Sequence, residues 1–233
     1  ERHCQRLINS GQLMSMQPSV TAEEIFKLVW DGIAKFPSDS ELYICPILYP
    51  TGGFITPEPE STEFILHVGE SPLPPPDGFS ACRSSFRRPA RDMAPTEAKA
   101  SCLYPNVARS VQEANEKGFD TGIVVDPVGN VAEFSYANLF MVVDGAVHTP
   151  VINGTFLNGI TRQRIIQLLR DDGFEVLERS IPPKELTHAD ELFATGNYAK
   201  VMPCTRYEGR TLQIGSIYQR ARELYFKFAE SCR

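Results

Sequence analysis

Residues 121–151, "TGIVVDPVGNVAEFSYANLFMVVDGAVHTPV", constrain the fold of this chain more than any other stretch. Short β-branched and apolar runs are cut at D-P-V-G-N and at D-G, turn signals that send a chain back beside itself, so this stretch reads as an antiparallel meander. Helices flank it. "NVARSVQEANEKG" is closed by Gly118, and "NGITRQRIIQLLRDDG" repeats apolar residues at 165, 166, 168 and 169 between Gly159 and Gly173. Strands in runs mixed with a few helices indicate an α+β fold rather than a doubly wound sheet.

Upstream, "TAEEIFKLVWDGIAKF" (21–36) carries apolar residues at 25, 28, 29 and 33, and Thr21 with Glu24 makes a capping box, which predicts a helix. "ELYICPILY" and "TEFILHVGE" read as strands. Pro74, Pro75 and Pro76 then hold the chain extended and supply no ladder donors, which predicts an edge segment near the end of a first lobe. The expected organisation is a small N-terminal lobe over 1–86, a stiff connector over 87–96 and a larger lobe over 97–233. In the larger lobe, "FEVLERSI" and "DELFATG" add strands, "VMPCTRYEGRTL" predicts a hairpin around Glu208-Gly209, and "SIYQRARELYFKFAES" is a terminal amphipathic helix. The opening "ERHCQRLINSGQLM" reads as part of an amphipathic helix with neither a signal core nor an initiating Met, so a preceding segment is expected.

Composition narrows the function. A net charge of -6 with one local basic cluster (Arg83, Arg87, Arg88, Arg91) opposes a nucleic-acid surface, which needs an extended basic stripe. No apolar run approaches the roughly 20 residues that span a bilayer. The six cysteines form no C-x-x-C pair and the four histidines are scattered, which disfavours a metal site and fits a reducing, cytoplasmic setting.

Four stretches could carry chemistry. Lys99 in "EAKASCLYP" is the sole lysine between Lys35 and Lys117, in a chain of seven lysines and sixteen arginines. Such an amine forms a Schiff base when its surroundings keep it neutral, although most lysines are simply solvated. Glu133 follows a strand signal and precedes a strongly apolar strand, so it either faces solvent or points inward and needs a cationic partner. In "LNGITRQRII" the backbone N–H groups of Ile160 and Thr161 open a helix and could receive an anion such as phosphate. In "DELFATGNYAKVMP" a strand runs into Thr195-Gly196-Asn197, small polar residues that let backbone, hydroxyl or amide approach an anion. The chain contains no G-x-G-x-x-G, no G-x-x-x-x-G-K-[ST] and no G-x-S-x-G, which opposes dinucleotide, triphosphate and serine-hydrolase chemistry.

Taken in order, these stretches resemble the fold type IV pyridoxal-phosphate enzymes of the branched-chain aminotransferase family. The resemblance rests on a lysine followed at +5 by a tyrosine, then "G-x-V-A-E-x-x-x-x-N-[LI]-F", "V-D-G-x-x-x-T-P", "L-x-G-I-T-R", "A-D-E-L-F-x-T-G" and "V-x-P", over residues 85–233. Before residue 85 it rests on "HCQRL" and "LYICPILY". It implies a small α/β lobe, incomplete at its start, and a larger lobe with a barrel-like antiparallel sheet and helices. It implies pyridoxal 5'-phosphate as cofactor, an amino donor and a keto acceptor as substrates, a ping-pong cycle and a homodimer in which one subunit's small lobe closes the other's pocket.

By the same resemblance, Lys99 is the Schiff-base lysine and proton shuttle, Tyr104 meets the cofactor's phenolic oxygen, and Glu133 pairs with the pyridine nitrogen. Arg6, the backbone at Ile160 and Thr161, and Thr195 or Asn197 hold the phosphate. Arg88 matches an arginine the family often places before the lysine, with no role assigned. The chain departs from the family in having Ser101-Cys102-Leu103 in place of G-G-N, Phe134 and Tyr136 after the glutamate, and Cys45 where many branched-chain enzymes carry an arginine. These changes bear on the donor, which is left open among L-amino acids, D-amino acids and (R)-amines. The same scaffold also supports a lyase of the 4-amino-4-deoxychorismate type, or a homologue without catalysis.

Overall fold

In the computed structural model, which describes residues 1–231, the capping box forms as the sequence predicts. Glu24 N–H donates to Thr21 Oγ1 at 3.2 Å and Thr21 N–H donates to the Glu24 carboxylate at 2.7 Å. This satisfies two otherwise orphaned donors at the start of helix α2 (Ala22–Ile33). Helix α1 (Arg2–Leu13) precedes it, and strands β1 (Leu42–Pro50) and β2 (Thr62–Glu70) follow as an antiparallel pair with Ile47 opposite Ile65. Both helices approach that pair closely. A Cβ added at Gly11 would lie 2.9 Å from Leu48 Cδ1, and one at Gly32 would lie 3.0 Å from Val68 Cγ2. These elements make one compact unit, Glu1–Leu73 together with Glu97–Ala100.

The second unit, Pro74–Thr96 with Ser101–Arg233, is built on a nine-stranded sheet. Its strands are β3 (Phe79–Arg87), β4 (Thr121–Val125), β5 (Val131–Phe134), β6 (Asn138–Val143), β7 (Ala146–Pro150), β8 (Val176–Arg179), β9 (Glu191–Gly196), β10 (Lys200–Tyr207) and β11 (Arg210–Thr211). They lie in the order β5-β4-β3-β10-β9-β6-β7-β8, with β11 added to β10 as the predicted hairpin. The sheet curls as a half-barrel and carries helices α3 (Tyr104–Glu116), α4 (Ile160–Asp171) and α5 (Ser216–Ser231), so the α+β fold stands.

Alternation along the strands divides the core. Leu139, Met141, Leu192 and Ala194 join one cluster, whereas Phe140, Val142, Phe193 and Val201 pack with Ile165, Ile166 and Leu169 of α4 and Ile217, Tyr218 and Ala221 of α5. Glu191, on the helix-facing side, caps α5 from a distance. Its carboxylate accepts from Ile217 N–H at 3.1 Å and Tyr218 N–H at 2.7 Å.

The structure departs from three expectations. The small unit ends at Leu73, not at residue 86, because Phe79–Arg87 is an interior strand paired in parallel with both β10 and β4. Residues 87–96 likewise belong with the larger unit rather than lying outside both, and that unit does not begin at residue 97, since Glu97–Ala100 belong with the smaller one. The meander is also broken between β5 and β6, which share only an isolated bridge between Phe134 and Ala137. At that point Ser135 folds back onto β4: its N–H donates to Gly122 O and its hydroxyl accepts from Gly122 N–H. Strand β6 therefore pairs with β9 and β7 instead.

Strand β3 is tied to α3 through Glu113. The Ser84 hydroxyl, Ser85 N–H and Lys117 ammonium all donate to its carboxylate, at 2.7, 2.8 and 2.8 Å. Burial works to raise the Glu113 pKa, but these hydrogen bonds prevail and hold it at about 2. Because the folded-state pKa lies below the unfolded one, the stabilisation is full above the ordinary carboxylate range and is lost as pH falls through about 2. Urea unfolding of Glu113→Gln should show a stability deficit on the order of 2 kcal/mol at neutral pH. That deficit should shrink as the pH is lowered from about 4.5 to about 2.

Candidate active site

Glu133 sits on β5 with only 7 % of its surface exposed. A carboxylate so placed needs compensation, and two side chains supply it. Arg88, itself buried, brings Nε to 3.4 Å from Glu133 Oε1 while the same N–H donates to Thr155 O at 2.9 Å. Asn138, the first residue of β6, donates from Nδ2 to Glu133 Oε2 at 3.4 Å and to Leu157 O at 2.9 Å. Of the two readings open for Glu133, the inward-pointing, cation-paired one is therefore observed. The family-like spacing contained both Arg88 and Asn138, but neither carried a sequence-assigned role. Their signal was the need of a buried carboxylate for donors.

Asn138 also positions the start of α4. A Cβ on Gly159 would lie 2.2 Å from Asn138 Oδ1, so glycine is required there for close approach; its φ of -57° is ordinary. Gly159 is the residue before α4 and offers no side-chain cap, so the first N–H groups, including those of Ile160 and Thr161, lack intrahelical acceptors. Arg162 locks this turn from below. It is 1 % exposed and donates to Thr149 Oγ1, Asn158 Oδ1, Pro150 O and Glu178 Oε2 at 3.3, 2.9, 2.9 and 2.9 Å. Burial pushes the guanidinium pKa down, and the hydrogen bond it donates to Glu178 works in the opposite direction.

Sheet register sets Asn138 opposite Thr195 and Thr195 opposite Val201, so these side chains share the face that carries α4. Thr195 is 1 % exposed, and its hydroxyl has no hydrogen-bond partner among the described residues. Asn197, two residues on, is exposed in the β9–β10 turn. The large unit therefore brings together Glu133, Asn138, the α4 start and Thr195, with Asn197 two residues further along the chain. Tyr104, the first residue of α3, is half exposed in the same unit.

Arg6 and Lys99 belong to the smaller unit. Arg6 and Ser10 are one turn apart on α1, and the Ser10 hydroxyl accepts from Lys99 N–H at 3.0 Å. Arg6 Nη2 lies 3.4 Å from His3 Nδ1. The backbone of Lys99 is thus anchored on the helix that bears Arg6, beside fully buried Ala98, while the lysine itself is exposed. Among the described residues, no group of three or more His, Cys, Asp or Glu could hold a metal ion.

A family model described as amino-transferase class IV matches residues 1–207. A probable branched-chain-amino-acid aminotransferase of Aquifex aeolicus is 33% identical over 97% of this chain and 75% of its own length. Among solved structures, an aminotransferase from Brucella abortus bound to the cofactor PLP is 43% identical. It superposes with a TM-score of 0.96, covering 98% of this chain and 83% of that one. The branched-chain aminotransferase of Thermoproteus uzoniensis with norvaline is 32% identical, with a TM-score of 0.89 and coverage of 97% and 77%.

The contact between Gly159 and Asn138 generates a test of how the site is held. Gly159→Ala should displace the Asn138 amide, costing about 1–3 kcal/mol of stability in urea unfolding. Ser10→Ala, in the other unit, should leave Asn138 and α4 undisturbed; crystal structures of the two variants distinguish the effects.

Proposed function

This chain belongs to the class IV amino-transferase family and is a pyridoxal-phosphate-dependent aminotransferase; we propose that Lys99, Arg6, Glu133, Tyr104, Thr195, Asn197 and the α4 start carry its cofactor chemistry. The observation that carries this assignment is the buried Glu133 carboxylate, held by Arg88 and Asn138 in the same unit as an open helix start and the Thr195 hydroxyl, which has no partner among the described residues. That donor set fits the cofactor at both ends: a carboxylate suits a protonated pyridine nitrogen, and N–H and hydroxyl donors suit a phosphate.

When bound, pyridoxal 5'-phosphate supplies an aldehyde that condenses with amines and a ring that accepts electron density from the donor's Cα. In the proposed assignment, Lys99 Nζ would hold the cofactor at its aldehyde carbon and would serve as the base for the proton on the donor's Cα. Glu133 keeps the ring nitrogen protonated, which its own buried negative charge favours. Tyr104 donates its hydroxyl hydrogen to the phenolic oxygen. Arg6, the N–H groups of Ile160 and Thr161, Thr195 and Asn197 hold the phosphate.

The named relatives are aminotransferases, which favours transamination over the lyase reading. We propose an amino acid donor of branched-chain type with a 2-oxo acid acceptor. A homodimer is proposed as well: β1 and β2 expose Tyr43, Ile47 and Ile65 along one face, an apolar strip suited to burial against a second copy. A reducing, cytoplasmic setting accords with the free thiols of Cys4, Cys45, Cys82, Cys102 and Cys204. No helix among the described residues is long and apolar enough to cross a membrane.

The purified protein should be yellow, and its visible absorbance should bleach when a competent amino donor is added and return with a 2-oxo acid. Lys99→Ala should abolish this cycle, reducing turnover by at least about a thousandfold; full transamination by that variant would remove the assignment. A panel of L-amino acids, D-amino acids and (R)-amines, read by the same bleaching, identifies the donor.

A further inference from the structure

Lys200 opens β10 from the left-handed backbone region, with φ of 60°, a conformation that favours glycine. Its side chain is half buried, and burial pushes the ammonium pKa below its ordinary value. Buried ammonium groups normally find a carboxylate. Among the described residues Lys200 has none, and its hydrogen bond goes to Asn197 Oδ1 at 3.0 Å.

That bond decides which way the Asn197 amide faces. An ammonium group can only donate, so the amide must turn its oxygen toward Lys200 and its NH2 group away. Asn197 Nδ2 meets no acceptor among the described residues, which leaves two donors unspent in the exposed β9–β10 turn. Two residues back lies Thr195, whose buried hydroxyl also has no partner among the described residues and which shares its sheet face with Asn138 beside the α4 start. A freely rotating asparagine would offer an anion its carbonyl oxygen as readily as its N–H groups. Asn197 is held against doing so.

We propose that Lys200 is a positioning residue for phosphate binding: it fixes the Asn197 amide with its N–H donors toward the anion. This rests on the reading of Asn197 as a phosphate ligand. Lys200 acts through Asn197, so removing either residue removes the same contribution.

The test uses the full chain freed of cofactor and follows binding of pyridoxal 5'-phosphate by absorbance and of inorganic phosphate by thermal shift. Pyridoxal, which lacks the phosphate, is the control. Lys200→Gly removes the amine while relieving the left-handed backbone, so it is expected to stay folded. Asn197→Ala and Lys200→Gly should each weaken pyridoxal 5'-phosphate on the order of tenfold, from the loss of one oriented hydrogen bond. Each should shrink the inorganic phosphate shift and leave pyridoxal affinity unchanged, and Lys200→Arg should restore binding. The double variant should bind no worse than Asn197→Ala alone.

If Asn197→Ala weakens binding and Lys200→Gly does not, the inference is wrong while the phosphate reading stands. Losses that multiply in the double variant would make Lys200 an independent charge and also overturn it, as would equal weakening of pyridoxal. An Asn197→Ala variant that binds like the parent would remove the phosphate reading of Asn197 itself, and the inference with it.

Discussion

A carboxylate buried in a sheet is tolerated only where donors reach it, and the need to compensate Glu133 organises much of the larger unit. Arg88 is the first residue after β3, and Asn138 the first of β6, so the charge ties together segments that are far apart in the chain. Asn138 then does a second job. With one amide hydrogen committed to Leu157 O and its oxygen against Gly159, it sets the distance between β6 and the turn into α4. Arg162 closes the arrangement by spreading four hydrogen bonds over Thr149, Pro150, Asn158 and Glu178. The start of α4 is thus held by polar contacts, and its apolar residues Ile165, Ile166 and Leu169 pack further along the same helix.

The resulting arrangement is electrically polarised. A negative carboxylate lies on β5, whereas the donors of the α4 start and Thr195 lie at the ends of β6 and β9. A ligand with a protonated ring nitrogen at one end and a phosphate at the other matches this polarity. Within the smaller unit, the bond between Ser10 and the Lys99 backbone holds Lys99 and Arg6 on one frame. Precise placement of that backbone matters because reactions at a lysine amine depend on where the nitrogen can reach.

Several features were legible in the sequence because their causes are local. The α2 capping box needs only Thr21 and Glu24, and the β10–β11 hairpin turns at Glu208, whose φ of 51° follows from the Glu-Gly turn. The candidate residues Glu133, Ile160, Thr161 and Thr195 were legible as chemistry-bearing types at strand ends and helix starts. Strand β3 was not. "FSACRSSFR" lacks apolar alternation, and its polar groups are answered from elsewhere: Ser80 by Asp120, the Arg83 N–H by Glu208, and Ser84 by Glu113. Lys200 was equally illegible, since neither its left-handed backbone nor its lack of a carboxylate is encoded in its neighbours.

By itself, the sequence determined the class of elements, the punctuation between them and the residue types able to do amine and phosphate chemistry. Those depend on periodicity, turn residues and side-chain reactivity, all of which act over a few positions. Tertiary structure alone decided that the Glu133 charge meets Arg88, that glycine must stand at 159, that Ser84–Ser85 belong to an interior strand, and which face of the Asn197 amide is available. The first three depend on the distance between atoms brought together from separate segments, and the last on the backbone conformation of one turn. Whether a buried polar group is stable depends on that distance.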